Sequence, residues 1–491
     1  MIRESFFVKA FVSVCTYLKN SWLESRLYHI YCSLACMFTK WVEESTIISF
    51  LSSDWEKKLG LSEGKFMCKS EKISQNKAFK EKKGLWRLLK ESVLISIANE
   101  NMLVCLIYLI FFALPFLPTM VLLGLCLMSL AIYILNIFVG RIKFRLNGMT
   151  GIFVILFGIA YIMSSLTSGN ITQSLKVMGV FIVFLSMFFI TADSINTEKR
   201  LNILINIFIL SALLVSLYGI YQYITGAEMD AAWVDSNTFE DIKTRVYSTF
   251  TNPNVLGEYL IVMTALCIGM FWQEKRLSFK IYYMILSGIM GLCLICTNSR
   301  GSMLGLILAA GFFVLLSEKR LLTAGILAVL AMPFIMPEAL WQRLSSVTAL
   351  KDSSSLYRIS IYKASLNMLK NYWFGGIGVA AFNNIYPMFS FEAANAYHSH
   401  NLFLQEFLEL GIVGFTAFIG SIIFFMQRIY FAIKNSSRKY QILLGTIFGG
   451  FAGLLLQGMV DYIWFDYSII LFYWAVMGLG MCMIRLGGKT K

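Results

Sequence analysis

Two of the chain's three histidines, His398 and His400, stand two residues apart in Asn395-Ala-Tyr-His-Ser-His-Asn-Leu-Phe-Leu-Gln-Glu-Phe-Leu-Glu-Leu-Gly-Ile-Val-Gly414. An imidazole is the side chain best matched to taking a proton from a hydroxyl near neutral pH. His400 lies where a polar loop gives way to an apolar helix beginning near Asn401, a place where it could act as a base. The positive end of that helix favours the neutral imidazole that a base requires. Asn401, Gln405 and Glu409 recur at i, i+4 and i+8, so a polar stripe runs down one face of the helix. Polar groups at membrane depth face a protein interior or a wet cavity. The plainer alternative is a loop histidine above a packing seam, with Gly411 and Gly414 as small contact residues.

Three arginines complete the set. Arg245 precedes a turn-forming Thr-Asn-Pro-Asn run, and Arg300 lies in the short turn Thr297-Asn-Ser-Arg-Gly-Ser302 between two apolar runs. A guanidinium fork suits anionic oxygens, and each arginine could hold a substrate anion. In so short a turn an arginine needs an anionic partner: a carboxylate such as Glu406 or Glu409, or a substrate anion, two readings of equal standing. Arg245 taken alone reads equally as a loop surface charge. Arg358 either touches substrate phosphate or holds its loop. His398 reads as a loop histidine with an incidental hydrogen bond or as a second acid–base group. A metal there would need a third ligand that the sequence does not name, and neither metal nor cofactor is expected. Asp461 reads as a helix cap, or else as a group orienting a base or a sugar.

The elements that must position these residues are membrane spans. Of 491 residues, 58% are hydrophobic and 14% charged, the composition of an all-α polytopic membrane protein. Twelve spans are predicted, at 101–117, 119–139, 150–166, 175–192, 201–224, 254–272, 280–297, 302–317, 321–337, 401–427, 440–459 and 462–485. With the N-terminus placed inside, 33 of the 42 Lys and Arg residues fall on one side, so both termini are expected in the cytoplasm. The net charge of +14 thus reports topology, and no nucleic-acid partner is implied. Two outward loops are long, 225–253 and 338–400. Cys293 and Cys296 form a C-x-x-C inside an apolar helix without a second ligand pair, which argues against a zinc or redox role. Four regions follow: an amphipathic, basic N-terminal region over 1–98 lying on the membrane surface through Trp22, Trp41 and Trp55; spans over 99–337; the large loop 338–400; and spans with a short tail over 401–491.

The segments Arg245…Phe250-Thr-Asn-Pro-Asn254, Thr297-Asn-Ser-Arg-Gly301 and His400-Asn401-x8-Leu410-Gly411-x2-Gly414 resemble signatures of the O-antigen ligase/polymerase superfamily. The stretch from Arg358 to Phe382, with Trp373-Phe-Gly-Gly-Ile-Gly378, is similar to its large-loop pattern, although Trp373 stands where a proline is usual. The resemblance spans roughly residues 100–485 and implies a GT-C-like membrane fold. It also implies metal-independent glycosyl transfer at the outer leaflet, from a polyprenyl-diphosphate-linked glycan to an acceptor hydroxyl with inversion at the anomeric carbon. His400, Arg300 and Arg245 would then be catalytic, and Arg358, His398, Asn401 and Glu409 would bind substrate. The implied partners are the lipid-linked donor, a glycan, lipid or protein acceptor, and membrane lipids. A transporter or flippase for an anionic lipid-linked substrate is the competing class. It calls for repeat-related halves and midplane charges on several spans; no repeat is visible, and the clear interior charges gather at Glu406 and Glu409.

Overall fold

The computed structural model describes residues 97–226, 244–335, 353–390 and 396–488, with a few isolated positions besides. The expected surface-bound region over 1–98, its three tryptophans included, lies almost entirely outside the described residues. Apolar runs punctuated by polar caps fold as fourteen helices, and no strand occurs among the described residues. In chain order these are α1 Glu100–Ala113, α2 Thr119–Phe138, α3 Gly148–Leu166, α4 Ile171–Ser194, α5 Glu198–Thr225, α6 Pro253–Gln273 and α7 Leu277–Cys296. They continue as α8 Arg300–Ser317, α9 Leu322–Ile335, α10 Ser353–Tyr372, α11 Phe382–Ile385, α12 Leu402–Asn435, α13 Arg438–Gly458 and α14 Tyr467–Gly488.

Ten of these helices are long and apolar enough to cross a bilayer. The other two expected spans are shorter than their apolar runs. Helix α1 has 14 residues, a rise of about 21 Å against a hydrocarbon core of about 30 Å. It stops because the chain turns at Leu114–Leu117 and Pro118, which has no N–H to give, restarts it as the cap of α2. Helix α9 also has 14 residues and carries Pro333 inside it. The apolar run continues through the Leu114–Leu117 turn, so hydropathy alone overstates the length of α1.

Helix α12 differs from expectation in the other direction. It runs through Asn435, and Gly411 inside it is non-helical at φ 64°, ψ −171°, so two helices meet at a break. A left-handed φ is cheap only for glycine. The Trp373–Val379 segment fills the break with backbone hydrogen bonds: Ile412 N donates to Trp373 O at 2.8 Å, Ile377 N to Leu408 O at 2.7 Å and Gly378 N to Glu409 O at 3.1 Å. The span proper therefore starts after Gly411, while Leu402–Leu410 forms a separate helix leading to it.

Small residues let the spans meet backbone to backbone. A Cβ on Gly305 or Gly453 would strike the carbonyl of the other, and one on Gly449 would strike Ala309 O, so α8 and α13 touch along their length. At one end of the bundle the buried Asp193 accepts from Tyr133 Oη at 2.6 Å and Arg145 N at 3.1 Å, with the Arg145 and Arg485 guanidinium groups at 3.6 and 3.9 Å. Arg200 pairs with Glu100, Arg438 with Glu318, and Lys439 with Glu198 at the same end. All these residues belong to segments that the basic-residue count assigns to one side. The candidate catalytic residues gather at the other end.

Candidate active site

The site is assembled from helix ends. His400 precedes α12 with φ at +50°, a left-handed backbone that a residue with a Cβ seldom adopts. Tyr362 Oη, on α10, donates to His400 O at 3.0 Å, and His400 N donates to His398 Nδ1 at 3.2 Å. So held, the imidazole sets Nδ1 3.3 Å from Asp461 Oδ1. Asp461 follows α13, where its N–H donates to Gln457 O at 2.9 Å.

Asp461 is the hub. Its Oδ1 also accepts from Tyr462 N at 2.9 Å, and its Oδ2 accepts from Asn254 Nδ2 at 2.8 Å. Arg358 Nη2, from α10, stands 4.0 Å from Oδ2. Asn254 lies in the first turn of α6, which Asn252 caps and Pro253 opens. Its Oδ1 accepts from Arg245 Nη2 at 3.1 Å, while Arg245 Nε donates to Thr297 O, the cap of α7, at 2.9 Å. A continuous line thus runs from Thr297 through Arg245, Asn254 and Asp461 to His400. Four of its members come from the ends of α6, α7, α12 and α13.

Burial alone would raise the Asp461 carboxyl, but the hydrogen bond to His400 and the charge of Arg358 outweigh it and hold the group well below the usual carboxylate range. An ionised Asp461 accepts the Nδ1 proton and leaves Nε2 with its lone pair outward, the tautomer of a base. Burial, reinforced by the neighbouring His400, lowers the His398 imidazole to about 3. His398 is therefore neutral at physiological pH. Its ring packs on Phe465 at 4.6 Å, and Nδ1 supports the His400 backbone.

His398, His400 and Asp461 each bring one donor atom within 4.8 Å of the others, which supplies the third ligand that the sequence did not name. Within this group His398 Nδ1 accepts a backbone N–H, both Asp461 oxygens accept hydrogen bonds, and the Arg358 cation stands beside the carboxylate.

The remaining candidates divide. Arg300 is the half-buried first residue of α8, and the next residue, Gly301, lies against Gln457 and Val460 just before Asp461. Arg245 is 6% exposed, so it sits behind the site rather than in its mouth. Asn401 is spent as a cap: Oδ1 accepts from Leu404 N at 2.9 Å, and Nδ2 donates to Met459 O at 2.7 Å. Glu409 is buried and accepts from Ala380 N at 3.2 Å and Gln405 Nε2 at 2.8 Å. Asn254 was read only as a turn former and Gln405 only as a member of the polar stripe, and Asp461 was read first as a cap. A side-chain acceptor immediately after an apolar helix was the one available signal.

Residues 285–419 match the family model described as O-Antigen ligase. The match takes in Arg300, Arg358, His398, His400, Asn401 and Glu409, and leaves Arg245, Asn254 and Asp461 to be connected by geometry alone. No curated protein matches the chain.

Proposed function

We propose that this chain, whose residues 285–419 match the O-antigen ligase family, is a membrane glycan transferase of the O-antigen ligase/polymerase superfamily that moves a glycan from a polyprenyl-diphosphate carrier to an acceptor hydroxyl at the outer membrane face. In this reading both termini are cytoplasmic. His400 Nε2 takes the proton of the acceptor hydroxyl as its oxygen attacks the anomeric carbon from the side opposite the diphosphate. The sugar–phosphate C–O bond breaks, and its electron pair leaves on the diphosphate. The proton then passes to solvent. Asp461 fixes the His400 tautomer and balances the imidazolium as it forms. Arg358 and Arg300 are assigned to the charge growing on the leaving diphosphate. Arg245, buried behind Asn254, acts by orienting Asp461.

The observation that supports this reading best is the His400–Asp461 pair, flanked by Arg358 and backed by Arg245 through Asn254, at the end of the bundle expected outside. The test is turnover of a lipid-linked glycan by the purified protein in lipid nanodiscs, read as release of free polyprenyl diphosphate. His400→Ala is expected to lower turnover by at least about 100-fold. Undiminished release by correctly folded His400→Ala would reject the assignment. Transbilayer movement of the donor with no diphosphate release would instead favour the flippase reading.

A further inference from the structure

Behind His400 lies a second line of hydrogen bonds that the proposed chemistry does not use. Gln405 is 1% exposed, and its carboxamide is engaged at both ends: Nε2 donates to Glu409 Oε1 at 2.8 Å, and Oε1 accepts from Ser399 N at 2.7 Å. The Ser399 backbone N–H can only donate, so the amide cannot flip: Oε1 must face Ser399 N, and Nε2 is left to donate to Glu409 Oε1. Glu409 is pinned in turn. Its side chain accepts from Ala380 N at 3.2 Å, and its carbonyl accepts from Ser164 Oγ at 2.7 Å and Gly378 N at 3.1 Å. The residue tethered by this relay, Ser399, is fully buried and immediately precedes His400 with its φ of +50°. A left-handed backbone at a residue with a Cβ persists only where its surroundings over-determine it.

We propose that Gln405 is a positioning residue for His400: oriented by Glu409, it tethers Ser399 so that the left-handed backbone at His400 is kept and the imidazole faces Asp461. The stripe Asn401–Gln405–Glu409 is then neither a packing seam nor a substrate surface. It is a strut that joins the Trp373–Ala380 segment to the catalytic loop. Without the tether, residue 400 relaxes toward the extended region and carries Nδ1 away from the carboxylate. The proposal rests on His400 being the base.

Gln405→Met keeps the length of the side chain and removes both hydrogen bonds. It is expected to lower kcat about 30- to 100-fold while leaving the donor KM within about threefold. Hydrogen exchange should show lost protection in the peptide containing Ser399. Gln405→Glu sets two carboxylates together and should fall as far. A Gln405→Met protein with wild-type kcat and an unchanged Ser399 peptide would overturn the inference. If His400→Ala is active, the reading of the base itself fails. If His400→Ala is inactive and Gln405→Met is not impaired, only the positioning role fails.

Discussion

Asp461→Asn changes one oxygen and one charge at the hub, and its consequences can be followed atom by atom. Both carboxylate oxygens face donors: His400 Nδ1 and Tyr462 N on one side, Asn254 Nδ2 and Arg358 on the other. An amide offers only one acceptor. If its NH2 faces His400, two donors oppose each other and the imidazole must adopt the wrong tautomer. If it faces Asn254, that amide must flip and present its own NH2 to Arg245. Either outcome forfeits a charge-assisted hydrogen bond and leaves a donor badly placed, together about 2–4 kcal/mol. Expressed in the transition state, this predicts a kcat lower by about 30- to 1,000-fold. The assay is diphosphate release in nanodiscs across pH 5–9, with folding checked by monodispersity. The sign for stability is separate. The Asp461 carboxyl is depressed, so its contribution is present above the unfolded value of about 4 and lost as pH falls through the folded value. The stability gap between wild type and variant should therefore stay constant from pH 5 to 9. A kcat within about threefold of wild type would refute the hub role of Asp461.

Gly411→Ala places a Cβ at φ +64° and against Phe374 O; thermal unfolding in detergent should show a loss of about 1–3 kcal/mol, with kcat falling as the Trp373–Ala380 segment loosens. Asp193→Asn weakens a buried ion cluster far from the site and leaves Arg485 poorly compensated. It should cost about 3 kcal/mol of stability while turnover per folded molecule is unchanged. His398 is buried as the neutral form at about 3, so the unfolded chain takes up its proton first as pH falls below about 6.5. Stability should then decline with acidification at up to about 1.4 kcal/mol per pH unit, a slope that His398→Gln should reduce.

Much of the architecture was legible because a chain rich in apolar residues leaves few positions for charge. Arg300, Arg358 and His400 stand out for that reason, and the basic loops gave the two-sided partition that the Asp193 cluster and the Asp461 hub later occupy. The hub itself was not legible. One aspartate after an apolar helix has the same appearance whether it caps the helix or anchors an imidazole, and Asn254 inside Thr-Asn-Pro-Asn reads as a turn former. Gly411 was read as a packing glycine, since a φ of +64° leaves no trace in residue type. The length of α1 was overstated because leucine and phenylalanine continue through the turn that ends it. Asn401 and Glu409 share the period of the stripe with Gln405, yet periodicity names a face without naming what the face meets.

The placement of these residues follows from the cost of polar groups in hydrocarbon. The site proposed for a diphosphate-linked donor uses several charged and hydrogen-bonding side chains, and each would be expensive in the middle of a span. At a helix end, unsatisfied backbone groups already call for polar neighbours, so the same residues are accommodated at less cost. Thr297 at the end of α7, Asn254 in the first turn of α6, Arg300 opening α8, His400 before α12 and Asp461 after α13 all obey this rule. Their wide separation in sequence is its consequence, because each helix supplies one end. Such a site depends on how far each helix is displaced along its neighbour. The backbone contacts of Gly305, Gly449 and Gly453 set that displacement for α8 against α13, and with it the position of Arg300 relative to Asp461. Glycines deep in the bundle therefore bear on the chemistry by fixing where the rim residues stand, although none of them is near a substrate.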